Sequence, residues 1–165
     1  MRKLEYKHIA PYLQHNLKVK LSDIGIKWLH GNQKSLTNID NEIFSIHDIL
    51  LWDSSIELVN NDDYYVGYLE IGGIKPILRP LSQLLEEIEC NGETFTPLDF
   101  FEIYEEDNFE YIDMQTYRLL ESIARHNIIH DVRWLPYGVV EKLIEWNFDI
   151  NGLIEDGLAI KMENN

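Results

Sequence analysis

The sequence predicts a single α+β domain over residues 1–165, with an N-terminal antiparallel β-sheet (1–79, mainly β) followed by a C-terminal group of about four helices (80–165, mainly α). Three observations predict it. Apolar residues alternate with polar ones in the first half, Asn, Asp and Gly turn signals separate those runs, and from Pro80 onward the apolar spacing becomes three and four. A chain of 165 residues, 45% hydrophobic and 12% aromatic, has enough apolar surface to bury a core of its own.

In Tyr6 to Leu13, Ile9, Tyr12 and Leu13 lie at helical or turn-like spacing. Pro11 fits only a first turn there, so a short turn of helix is expected. From Leu17 the period is two: Leu17, Val19 and Leu21 alternate with Lys18, Lys20 and Ser22, as in a half-buried strand. Ser22-Asp23 supplies turn chemistry, and Ile24, Ile26 and Trp28 against Gly25, Lys27 and Leu29 predict a second strand and thus a hairpin. Ser35 to Trp52 fits neither period until Ile49-Leu50-Leu51-Trp52, an apolar run of the buried-strand kind. Asn60-Asn61-Asp62-Asp63 separates two β-forming segments, Ser55 to Val59 and Tyr64 to Ile71, and Gly72-Gly73 turns the chain into Ile74 to Leu78.

Pro80 then opens a helix whose stripe is Leu81, Leu84, Leu85 and Ile88, with Asn91-Gly92 as its left-handed cap. Thr96-Pro97 starts another, Thr96 as N-cap and Asp99 placed for a capping-box contact; Phe100, Ile103 and Tyr104 share one face and Asp99, Glu102 and Glu106 another. Asp113 is the N-cap of a third helix with Tyr117, Leu120, Ile123, Ala124 and Ile128 at core spacing. Pro136 opens a fourth with Val139, Val140, Leu143 and Ile144 inward, and Gly152 and Gly157 punctuate a short final element.

Charge is laid out unevenly. Met1 to Lys34 carries seven basic and two acidic residues, whereas Pro80 to Tyr117 carries eleven carboxylates and neither lysine nor arginine, most of the chain's formal charge of -15. Such a run either keeps a protein soluble or docks a basic partner by pairing with the cations that otherwise hold phosphates. On the second reading the partner-binding residues are Glu86, Glu87, Glu89, Asp99, Glu102, Glu105, Glu106, Asp107 and Glu110, with Phe101, Tyr104 and Tyr111 among the aromatic anchors that charge alone does not supply.

Three segments carry a resemblance: His8-Ile9-Ala10-Pro11-Tyr12-Leu13 leading to Leu17-Lys18; Ile74-Lys75-Pro76-Ile77-Leu78-Arg79-Pro80-Leu81-Ser82-Gln83-Leu84; and the run from Val140 through Glu141-Lys142-Leu143-Ile144-Glu145-Trp146-Asn147-Phe148-Asp149-Ile150-Asn151-Gly152 to Ile160. Their order and spacing resemble a group of small uncharacterised proteins carried by Bacteroidetes phages and prophages. The resemblance brings no activity with it, but a phage setting implies counter-defence or host takeover. The function expected is therefore a non-enzymatic, acidic interaction protein that binds a basic nucleic-acid-binding host protein, such as a CRISPR effector nuclease or its RNA complex, as an anti-CRISPR inhibitor. The alternative is an accessory or structural phage protein that self-associates.

Catalytic chemistry finds little footing. His126 and His130 are four apart, but no Glu stands between them in the zincin arrangement and a third ligand would have to come from elsewhere, so helix-surface histidines are the better reading. Cys90, the single cysteine, reads as a boundary thiol, Gly67, Gly72 and Gly73 do not form a phosphate loop, and no Gly-x-Ser-x-Gly occurs. No enzyme, cofactor or metal is expected. The net charge disfavours direct DNA binding, although Arg2, Lys3, Lys7, Lys18, Lys20, Lys27 and Lys34 with Tyr6, Tyr12 and Trp28 form a local basic patch. The first twelve residues hold too few apolar positions for a signal peptide and no apolar run approaches the ~20 residues that span a bilayer, so a cytoplasmic protein with no membrane partner is expected.

Overall fold

The computed structural model describes residues 2–32, 42–50, 55–60, 65–101 and 112–163. Its strands are β1 (Lys18–Leu21), β2 (Phe44–Leu50), β3 (Ser55–Val59), β4 (Tyr65–Glu70), β5 (Ile74–Leu78), β6 (Ile88–Cys90), β7 (Glu93–Phe95) and β8 (Ile160–Lys161). Its α-helices are α1 (Tyr6–Ile9), α2 (Asp23–Asn32), α3 (Pro97–Phe100), α4 (Met114–His126) and α5 (Tyr137–Glu145). The chain forms two compact units, Met1–Leu78 with Leu153–Ile160, and Arg79–Gly152 with Lys161–Asn165.

This corrects the expected arrangement of an N-terminal antiparallel sheet followed by helices. The protein is α+β, but its main sheet is mixed and six-stranded in the order β4-β3-β2-β1-β5-β8. Strands are spread from residue 18 to residue 95 and recur at Ile160–Lys161, and helices lie in both the N-terminal and the C-terminal parts of the chain. The order has a physical cause that local patterning does not display. β1 is covered on both sides, pairing Val19 with Phe44 of β2 and with Pro76 of β5, so the first strand in the chain is central in the sheet. Val19 and Leu21 are buried accordingly, with Phe44, Ile56 and Leu58.

The expected second strand of the N-terminal hairpin is helix α2. Ser22 caps it: the Gly25 N–H donates to Ser22 Oγ at 3.3 Å and the Ile26 N–H to the Ser22 carbonyl at 2.9 Å. Gly25 and Leu29, one turn apart, are the buried positions, while Ile24 and Trp28 face out. The alternation over Ile24 to Leu29 is too short to separate a period of two from one of 3.6. The same serine ties down the turn before β5, its N–H donating to the Gly73 carbonyl at 2.9 Å and its hydroxyl to the Gly72 carbonyl at 2.8 Å. The helix thereby sits so close to that turn that a Cβ on Gly25 would collide with the Gly73 carbonyl oxygen.

The second unit carries two further corrections. The segment after Pro80 is a single 3-10 turn, Leu81–Leu85, that ends where Glu86 becomes extended. Leu81, Leu84 and Ile88 are buried as a helical stripe would have them, but Ile88 reaches the core from strand β6. Asn91-Gly92 is not a helix cap: Cys90 pairs with Glu93, and the two residues between have φ of 53° and 82°, as a two-residue type I′ hairpin requires. Thr96 makes no side-chain cap, so the capping-box contact with Asp99 does not form; α3 is described only to Phe100, and the rest of the expected helix lies outside the described residues. Helices α4 and α5 stand where Asp113 and Pro136 place them, and α4, α5, the 3-10 turn and the β6–β7 hairpin share one core that includes Leu120, Ile123, Leu143 and Phe148.

The contact between α2 and the Gly72-Gly73 turn makes a contrast that equilibrium denaturation reads directly. Gly25→Ala forces a backbone shift and lowers stability by about 3 kcal/mol or more. Gly31→Ala, in the same helix with no atom within 4 Å of its added methyl group, raises it by about 0.5 kcal/mol through helix propensity.

Candidate interaction surface

Charge separates by unit. The second unit holds 17 carboxylates against six lysines and arginines, a net formal charge of -11; the first holds 12 against eight, a net of -4. Within the second unit, the β6–β7 hairpin is the best-defined acidic element. Its pleat sends Ile88 into the core and leaves Glu87 and Glu89 outside, two residues apart on the same face of the strand. Glu86, Glu93 and Asp99 are also exposed. Positioning comes from beneath, where the buried Arg79 guanidinium donates to the Glu89 carbonyl at 2.7 Å. Burial lowers the Arg79 pKa, and it pushes up that of the half-buried Cys90 thiol, which Arg79 partly offsets.

Of the residues expected at the interface, Glu86, Glu87, Glu89 and Asp99 are at the surface, whereas Phe101 is not. Phe101 is 4% exposed and its ring centroid lies 5.5 Å from that of Trp146, in a cluster with Phe95 and Phe100. It is a core residue, because the helix start at Pro97 turns Leu98 and Phe101 inward together. Glu102, Tyr104, Glu105, Glu106, Asp107, Glu110 and Tyr111 lie outside the described residues.

Among the described residues of this unit the exposed aromatics are Trp134 and Tyr137. Trp134 is 67% and Tyr137 77% exposed, at the end of the 3-10 turn Ile129–Trp134 and the start of α5. The Arg133 guanidinium lies over the Trp134 ring at 5.1 Å. Trp134 also lines a cleft of about 490 Å³ with Asp113, Asp131, Gln115, Thr116 and Leu119. The cleft thus brings two carboxylates, Asp113 and Asp131, onto one lining with an indole that already carries the Arg133 guanidinium over its ring. The Tyr137 hydroxyl is held above the usual phenol pKa by its hydrogen bond to the Glu141 carboxylate, which keeps it protonated. Asp113 also caps α4, accepting from the Thr116 N–H at 2.8 Å and from the Thr116 hydroxyl at 3.2 Å. In sequence these two exposed aromatics are marked by their place on either side of the helix-opening Pro136, with the buried Leu135 between them.

Among the described residues no three or more His, Cys, Asp or Glu side chains come together to hold a metal ion. Nor is any described helix long and apolar enough to cross a membrane. Compared with protein-family models, curated proteins and solved structures, the chain matches none of them.

Two variants separate core from surface in this unit. Phe101→Ala lowers unfolding stability by about 3 to 5 kcal/mol, and Trp134→Ala stays within about 0.5 kcal/mol of the parent. The cap is read by pH. The Thr116 N–H holds the Asp113 carboxyl below the usual aspartate pKa. Its contribution to stability is therefore present above the ordinary aspartate value and lost as pH falls through the folded pKa. Thermal melts of Asp113→Ala accordingly fall below the parent at neutral pH and converge with it in acid.

Proposed function

We propose that the chain is a non-enzymatic, acidic interaction protein whose second unit binds a basic, nucleic-acid-binding protein. The observation that carries this reading is the Trp134 cleft, whose lining brings Asp113 and Asp131 together with an exposed indole. Carboxylates alone bring a cationic partner close and are screened by salt, while an exposed tryptophan supplies the desolvated contact that holds it. The exposed Glu86, Glu87 and Glu89 of the hairpin segment extend the negative surface that steers the encounter. The resemblance to phage-borne proteins supports a guided defence nuclease as that partner, with the acidic surface occupying the groove that otherwise takes nucleic acid.

Surface plasmon resonance against purified guided nucleases, each with and without its nucleic acid, tests this. Binding to the nucleic-acid-free form is expected, with steep loss as salt rises. Glu87→Lys with Glu89→Lys lowers the association rate about tenfold, and Trp134→Ala weakens binding by about 30-fold or more through faster dissociation. Binding that ignores salt and both variants, or no binding to any nuclease of the panel, removes the proposal.

A further inference from the structure

The first unit carries a groove of different character, which the acidic surface does not explain. Its volume is about 630 Å³, inside the roughly 300–1,000 Å³ range of small-molecule sites. One wall is the outer side of α2, where Ile24 and Trp28 stand one turn apart, 70% and 45% exposed. Leu4, Ile71 and Leu158 add to the apolar lining. The base is the junction of Ser22 and Gly25 with Gly72 and Gly73, pinned by the Ser22 hydrogen bonds and the close approach of the two backbones, so the groove is built rather than a gap between loose side chains.

Its charge is positive. Lys3 and Lys75 lie on the lining, and the register of β1 and β5 places Lys20 directly opposite Lys75 on the same sheet face. Like charges directly opposite one another on neighbouring strands repel. Among the described residues none of these three lysines is in an ion pair, whereas the neighbouring Arg2 is neutralised by Asp156 at 2.8 Å. Among the described residues Glu70 is the single carboxylate on the lining. Two lysines outside any ion pair on the lining of an open apolar channel, one of them facing Lys20 across the strand pair, are an arrangement that an anionic head group on an aliphatic tail relieves at both ends.

We propose that this groove binds a long-chain carboxylate, its aliphatic tail against Ile24 and Trp28 and its carboxylate at Lys3 and Lys75 with Lys20 beside them. Tail burial supplies the affinity, about fourfold per methylene, and the lysines select an anion over a neutral amphiphile.

Calorimetric titration of the full chain with dodecanoate below its micelle concentration tests the proposal. Saturable one-to-one binding is expected, with octanoate about 100-fold weaker and acetate silent. Trp28→Ala and, independently, Ile24→Ser weaken dodecanoate by about tenfold. Lys3→Gln with Lys75→Gln weakens it while leaving an uncharged dodecyl maltoside unchanged. Both wall positions are exposed, and circular dichroism confirms that at least one wall variant folds. No saturable binding, equal affinity for octanoate and dodecanoate, or indifference to the folded wall variants overturns the proposal. So does a dimer by sedimentation that Trp28→Ala dissociates, because a second copy of the chain would then be the occupant.

Discussion

Arg79 holds the second unit together. It is 8% exposed, and its main chain and side chain hold three segments at once. Its N–H donates to the Asn147 carbonyl and its carbonyl accepts from the Asp149 N–H, both at 2.8 Å, in a bridge alongside Phe148, while its guanidinium fixes the strand that carries Glu89. An arginine is suited to this because its stem packs among apolar neighbours while its planar head donates in several directions. Burying a cation costs several kcal/mol, which the guanidinium's hydrogen bond to the Glu89 carbonyl partly offsets. Around this residue the hairpin, the turn after α5 and the Phe148 core are mutually positioned, and the acidic surface rests on them.

In the first unit Ser22 has the corresponding place. It ends β1, caps α2 and ties the turn leading into β5 through two carbonyls. The absence of a Cβ at Gly25 lets the helix settle onto that turn, and the remaining outer side of the helix becomes the apolar wall of the groove. The two units thus present opposite chemistries. One presents exposed carboxylates and an indole, and the other lysines beside an apolar groove. A net charge alone describes only the first.

What was legible in the sequence was local. The α4 cap at Asp113, the start of α5 after Pro136, and the strands β1, β3, β4 and β5 follow from side chains a few residues apart acting on their own backbone. The misreadings sit where one local pattern serves two structures. Asn-Gly has positive φ in a helix cap and in a type I′ hairpin alike, and only the pairing of Cys90 with Glu93 decides between them. Leu81, Leu84 and Ile88 are spaced for a helix, yet they meet the same core from a 3-10 turn and a strand. Phe101 and Trp134 are both large aromatics; which one is buried depends on the direction in which the preceding segment enters the unit.

Composition, charge and its uneven distribution, the Asp113 cap and the α+β class follow from the amino-acid sequence alone, because each depends on residue type or on contacts within a turn or two. Strand order, the central place of β1, the helical state of Asp23–Asn32 and the identity of the exposed aromatics were decided by the tertiary structure. These depend on pairings between distant segments: β1 with β5, where Val19 meets Pro76, and Ser22 with Gly73. Such contacts decide which face of an amphipathic segment is covered, and no spacing within the segment encodes that choice.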